Sequence, residues 1–225
     1  MGRCLILLLA IITLSHSQLH AGRETKRVKV LFTAAIIPEG FEDRRIQYIR
    51  NLKLLASYGC DVYVVESCQS GPTFLDGFCD HVCYTKSNDP SATKSVNEAV
   101  SMNIGLQYFH FDPEEMIIKI TGRYVLKTNE FISMVRDHSN VDIIARVWNA
   151  SDAYTGCYAI RVKYLEDLLN NHYLNQFSSL TEEECRAYAI EHGLGKYIDR
   201  MKDNLNILYW PRLYDYMPFC SSDGP

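Results

Sequence analysis

Short apolar runs alternate with longer stretches of helical spacing along most of this chain. Residues 28–37 are apolar and β-rich and stop at Pro38-Glu39-Gly40, the pattern of a buried strand followed by a turn. Over 41–58, Ile46, Ile49, Leu52 and Leu55 fall on one face with charges between them, which predicts an amphipathic helix capped by Gly59. Residues 61–66 read as a second strand, so the chain opens with a β-α-β unit of parallel strands and a right-handed crossover. A turn-rich excursion over 68–90 follows, and 91–109 returns to helical spacing through Val96, Val100 and Ile104. The run Glu115-Met116-Ile117-Ile118-Lys119-Ile120 is too short for a membrane span and too rich in Ile for a helix core. It predicts a buried strand that ends at Thr121-Gly122-Arg123-Tyr124.

Further along, Thr128 or Asn129 can cap a helix through Arg136, 141–147 reads as a strand, and 154–160 is short and extended. Residues 162–173 and 180–192 are amphipathic, the second opening on acidic residues that favour the positive end of a helix. A closing strand over 205–209 precedes an aromatic-rich tail. The expected fold class is therefore α/β: a mostly parallel central sheet flanked by helices, with a helical C-terminal part, in a single domain over 28–225.

Arg3 precedes an apolar run from Cys4 to Leu14, and Ser15-His16-Ser17 offers small residues at a cleavage site. This predicts a signal peptide over 1–17, a loose polar leader over 18–27, and a product in the secretory pathway lumen or outside the cell. No later segment is long and apolar enough to span a bilayer, so no transmembrane helix is expected after signal removal. Of the 8 cysteines, those at 60, 68, 79, 83, 157, 185 and 220 follow the leader, and disulfides are expected around the 68–83 loop. Asn149-Ala150-Ser151 is an N-glycosylation acceptor. A net charge of −4 gives no basic field for nucleic acid, and none is expected as a partner.

Ligands of open α/β sheets bind beyond the carboxyl ends of the strands, so polar groups there are read as a site. After the first strand come Pro38, Arg44 and Arg45. Glu66 ends the second strand, and Lys94, Asn97 and Glu98 open the helix that leads to the third. Thr121, Gly122 and Arg123 end that strand. Several cations with a carboxylate and an amide suit a nucleoside diphosphate: cations for phosphates, acid and amide for the nucleoside. Glu98 can also pair Lys119, a cation in an otherwise apolar strand. The chain has no G-x-x-x-x-G-K-[ST], G-x-G-x-x-G or G-x-S-x-G, and its 7 histidines show no metal-ligand spacing.

Taken together, Lys94-Ser95-Val96-Asn97-Glu98-Ala99 and the stretch from Met116 to Tyr124 resemble small nucleotide-sugar glycosyltransferases of the GT-A-like kind. These include bacterial and viral surface-polysaccharide transferases with a K-[IL]-[ST]-G-R-Y motif. Tyr154-Thr155-Gly156-Cys157-Tyr158-Ala159-Ile160 and the acidic helix at 181–184 fit the same order. The resemblance spans about residues 28–210. It implies a Rossmann-like GT-A fold, a nucleotide-sugar donor and a glycan or glycoconjugate acceptor. Donor binding would fall to Pro38, Arg44, Glu66, Lys94, Asn97, Glu98, Thr121 and Gly122. Arg123 would stabilise the leaving diphosphate, with Glu183 or Asp152 as the base. Many such enzymes place a metal-binding D-x-D where Thr121-Gly122-Arg123 stands here, so a Mn or Mg cofactor is left open. The alternative is a secreted, catalytically inactive glycan- or nucleotide-binding protein on the same scaffold.

Overall fold

The computed structural model describes residues 27–38, 40–149, 151–175 and 189–210. The expected signal peptide and most of the leader, the acidic stretch with Glu183, and Cys185 and Cys220 lie outside the described residues.

In chain order the elements are β1 (Val28–Ala34), α1 (Phe41–Ser57), β2 (Cys60–Glu66), a 3-10 turn (Phe74–Gly77), β3 (His81–Tyr84), α2 (Lys94–Phe109) and β4 (Met116–Thr121). Then follow α3 (Glu130–Asp137), β5 (Ile143–Ala145), β6 (Val147–Asn149), β7 (Asp152–Ala153), β8 (Cys157–Arg161), α4 (Val162–Asp167), a wide helical segment (Leu168–Leu174), α5 (Ile190–Met201) and β9 (Ile207–Tyr209). Seven strands form one sheet in the order β3-β2-β1-β4-β8-β5-β9, and β6 pairs β7 in a separate hairpin. β8 alone runs against its neighbours β4 and β5; the other pairings in the large sheet are parallel. This is a mixed α/β fold with a mostly parallel central sheet flanked by helices.

Strand alternation sends two sets of side chains to two faces. Val30, Phe32, Ile118 and Ile120 pack under Tyr48, Leu52 and Leu55 of α1 and Phe131 and Ile132 of α3. Leu31, Val65, Ile117 and Ile160 face the other layer, with Met102 and Leu106 of α2, Leu165 of α4 and Leu194 and Tyr197 of α5. Gly105 permits the close seating of α2, because a Cβ there would stand 2.3 Å from Val65 Cγ2. Lys119 shares the parity of Ile117, so β4 turns its one charged side chain toward α2, where Glu98 stands.

Three differences from the sequence reading have physical causes. β3 emerges inside the 68–90 excursion, because pairing with β2 supplies the ladder that its four residues cannot provide alone. α5 begins at Ile190, where the helix expected over 180–192 was to end, and runs to Met201; residues 176–188 lie outside the described residues. Gly193 and Gly195 weaken its helical signal, yet they let it press on Tyr173 and on the backbone of Ser151 and Asp152. Cys60, Cys68, Cys79, Cys83 and Cys157 are all free thiols, so the expected loop disulfide is absent among the described residues. The Cys79 thiol instead donates to the carbonyls of Val62 and His81.

Candidate functional site

In the sheet order, β2 lies to one side of β1 and β4 to the other, so the chain direction of the winding switches between β1 and β4. The two strands separate into different loops there, and a crevice must open at their carboxyl ends. The structure has a cavity of about 340 Å³ at this place. Its wall includes Thr33 and Ala35 from the end of β1, Thr121 and Arg123 from the end of β4, Arg44 and Tyr48 from α1, and Lys94, Asn97, Glu98 and Ser101 from α2. The 88–90 turn and Ser67 complete it.

A saturated ion pair sits at the base of this cavity. Lys119 is fully buried, and its ammonium uses all three donors: Glu98 Oε1 at 2.6 Å, Thr121 Oγ1 at 2.6 Å and the Thr155 carbonyl at 2.8 Å. Glu98 Oε1 also accepts from the hydroxyls of Thr33 at 2.8 Å and Thr121 at 2.7 Å. Burial opposes ionisation of Glu98, but the adjacent ammonium and these hydrogen bonds outweigh it and hold the carboxyl below the usual glutamate range. Its other oxygen, Oε2, takes no hydrogen bond from any described residue, while the side chain keeps 20% of its surface exposed.

Around the rim are three cations. Arg44 Nη1 donates to the Ala35 carbonyl at 3.0 Å, which fixes its guanidinium against the end of β1. Arg123 and Lys94 make no ion pair with any described residue. Asn97 clamps the 88–90 turn: its Nδ2 donates to the Asp89 carbonyl at 2.8 Å and its Oδ1 accepts from the Asp89 amide at 2.9 Å. The cavity thus offers positive charge at its edge and a carboxylate lone pair within.

Of the residues singled out in the sequence, Arg44, Lys94, Asn97, Glu98, Thr121 and Arg123 line this one cavity. Glu66 does not. Its carboxylate is fully buried and accepts from the amides of Ile36 at 2.7 Å, of Cys68 at 3.1 Å and of Gln69. Burial raises its proton affinity, and those amide bonds pull the other way without cancelling the rise. Gly122 packs rather than lines, for a Cβ there would stand 2.6 Å from Tyr48 and 2.8 Å from Phe32. Pro38 borders a separate depression with Phe41, Arg45 and Phe74. Asp152 belongs to the β6–β7 hairpin, where it pairs with His192 and accepts from Asn149 Nδ2 at 2.8 Å.

The pairing of Glu98 with Lys119 is as expected, whereas Thr33 and Tyr48 were missed as site residues. Thr33 interrupts an apolar strand near its end, a readable signal. Tyr48 lies among apolar helix positions, and only the fold shows its hydroxyl meeting the Ala35 amide at 3.1 Å. Arg123 brings positive charge to the end of β4, and no three His, Cys, Asp or Glu side chains converge among the described residues.

No family model matches the chain, and no curated protein matches it. Among solved structures it is similar to the glycosyltransferase GlyE of Streptococcus pneumoniae TIGR4, at 10% identity and a TM-score of 0.48 over 84% of this chain and 46% of that one. The apo form of GlyE aligns at 11% identity and a TM-score of 0.44 over 81% and 45% of the respective chains. A glycosyltransferase involved in the glycosylation of the major capsid of PBCV-1 aligns at 11% identity and a TM-score of 0.41, covering 72% of this chain and 75% of that one. The chain spans under half the length of GlyE.

Proposed function

We propose that this protein is a nucleotide-sugar-dependent glycosyltransferase of the secretory pathway, acting on a glycan or glycoconjugate acceptor. One observation carries the reading: Arg123 and Lys94, two cations without an ion pair among the described residues, face the same cavity as the open oxygen of Glu98. Excess positive charge at the mouth suits a diphosphate, and a carboxylate lone pair within suits a nucleoside hydroxyl or imide N–H.

In this reading the donor lies with its diphosphate against Arg123, Lys94 and Arg44 and its nucleoside toward Glu98 and Asn97. As the glycosidic bond breaks, negative charge grows on the departing diphosphate. The Arg123 guanidinium meets that charge with fixed donors and needs no reorganisation at that moment. Proton removal from the acceptor falls to Glu183 or to Asp152, the latter acting through the imidazole it holds on His192.

Arg123→Ala is expected to lower sugar transfer at least a hundredfold while the melting temperature stays near that of wild type, since Arg123 makes no ion pair among the described residues. Lys94→Ala should weaken UDP- or GDP-sugar affinity about tenfold, the effect of one partly exposed charge-assisted contact. Thermal-shift screening with nucleotide sugars, followed by mass spectrometry of products, measures both. Near-normal transfer by Arg123→Ala removes the proposal.

A further inference from the structure

Trp148 leaves 50% of its surface exposed on β6, although indoles are among the most buried side chains on average. It does not stand alone. Its ring meets Tyr154 edge-on with centroids 5.9 Å apart, and Tyr154 meets Tyr124 in the same way at 5.6 Å. Tyr124 directly follows Arg123, so a row of three rings runs from the cavity rim to the surface and ends on the exposed indole. The base of the hairpin is tied to the same rim, since the Gly156 carbonyl accepts from the Thr121 amide at 2.9 Å.

Planar polar groups border the indole. The Arg146 guanidinium lies over one face of the ring, 5.9 Å from its centroid, so a ligand would stack on the opposite face; Asn149 follows in sequence, joined to Asp152, which pairs with His192. The hairpin is braced from beneath by α5, where the missing side chain of Gly195 lets the helix approach the Asp152 amide; a Cβ would stand 2.4 Å from it. Such bracing limits what ligand binding must order.

We propose that Trp148 is the stacking platform of a saccharide subsite, which takes a pyranose of the acceptor. The C–H hydrogens on one face of a pyranose carry slight positive charge and fit the negative face of an aromatic ring, while its hydroxyls suit planar polar side chains at the edge. The assignment of that sugar as the acceptor rests on the transferase reading; the binding chemistry does not.

The chain has 2 tryptophans, and Trp210 is buried at 8% exposure, so a fluorescence titration reports mainly on Trp148. The test uses the full chain made without N-glycans, a panel of neutral, amino and acidic methyl glycosides and oligosaccharides, and UDP and GDP in parallel. Wild type is expected to respond to at least one saccharide at millimolar concentration or below. By saturation-transfer NMR, Trp148→Ala should lose at least tenfold in affinity for it and Trp148→Phe less than threefold, with nucleotide binding unchanged in both. Equal saccharide binding by Trp148→Ala, or no response of wild type to any saccharide, overturns the subsite. Saccharide binding through Trp148 without nucleotide binding upholds the subsite and removes the donor reading; nucleotide binding without saccharide binding does the reverse.

Discussion

Glu66 lies fully buried at the end of β2, and Glu98 stands on the first turns of α2 with a fifth of its side chain exposed. Both are carboxylates drawn from water near one edge of the sheet, and both looked like donor contacts in the sequence. Their surroundings separate them. Backbone amides of Ile36, Cys68 and Gln69 engage both oxygens of Glu66, so its hydrogen-bonding capacity goes into shaping the loops after β1 and β2. Glu98 has one oxygen fixed by an ammonium and two hydroxyls and the other directed to a cavity. Position at a strand end is therefore a weak guide to ligand contact; the lone pairs still open after folding are a stronger one.

Removing the cation is the severest test of this contrast. Lys119→Met leaves Glu98 beside two hydroxyls but without its counter-charge, and breaking a buried pair from one side costs about 3–5 kcal/mol. Urea unfolding should show a loss of that order, and Lys119→Met with Glu98→Gln should recover at least half of it. A single variant as stable as wild type means that Glu98 is held by something other than this pair.

A smaller effect is expected at Glu66. Glu66→Gln replaces an acceptor oxygen with an amide group that faces backbone N–H donors, at a cost of about 1–3 kcal/mol. Calorimetric titration with UDP or GDP should find the affinity unchanged, whereas Glu98→Gln should weaken it. Equal weakening by both variants erases the distinction drawn between them.

The pH response is subtler and differs in sign. The Glu66 carboxyl is raised in the fold, so its contribution falls as pH climbs from the ordinary glutamate range through the raised value. The Glu98 carboxyl is lowered, so its contribution is intact above the ordinary range and is lost as pH falls toward the lowered value. In melting curves across the acid range, Glu66→Gln should flatten only the first slope. The Glu98→Gln and Lys119→Met double variant should flatten only the second, by about 1 kcal/mol for each pH unit that it spans.

Strong local pattern made much of the scaffold readable. The largely apolar runs of β1, β2 and β4 read as buried strands, and the spacing of Ile46, Ile49, Leu52 and Leu55 read as a helix, although Ile46 stays exposed and the buried face runs through Tyr48, Leu52 and Leu55. The wall from Lys94 to Arg123 was approachable for the same reason, because known strand ends locate the crevice. Elements with little local pattern stayed hidden. β6 and β7 have three and two residues, too few for alternation to register, so the exposed setting of Trp148 had no sequence signature. Glu66 was misleading for a related reason: strand parity gives the direction of a side chain, but not which loop amides return to meet it. Pairing of Asp152 with His192 needs α5 to cross the hairpin, a contact between segments about 40 residues apart.

The Lys119–Glu98 pair also bears on how this sequence can change over time. A single codon change that neutralises either position strands a whole charge inside the protein, so each one-step path to a neutral pair passes through a destabilised intermediate. Only joint replacement by neutral residues of similar bulk escapes that barrier, and the two positions are expected to drift together or not at all.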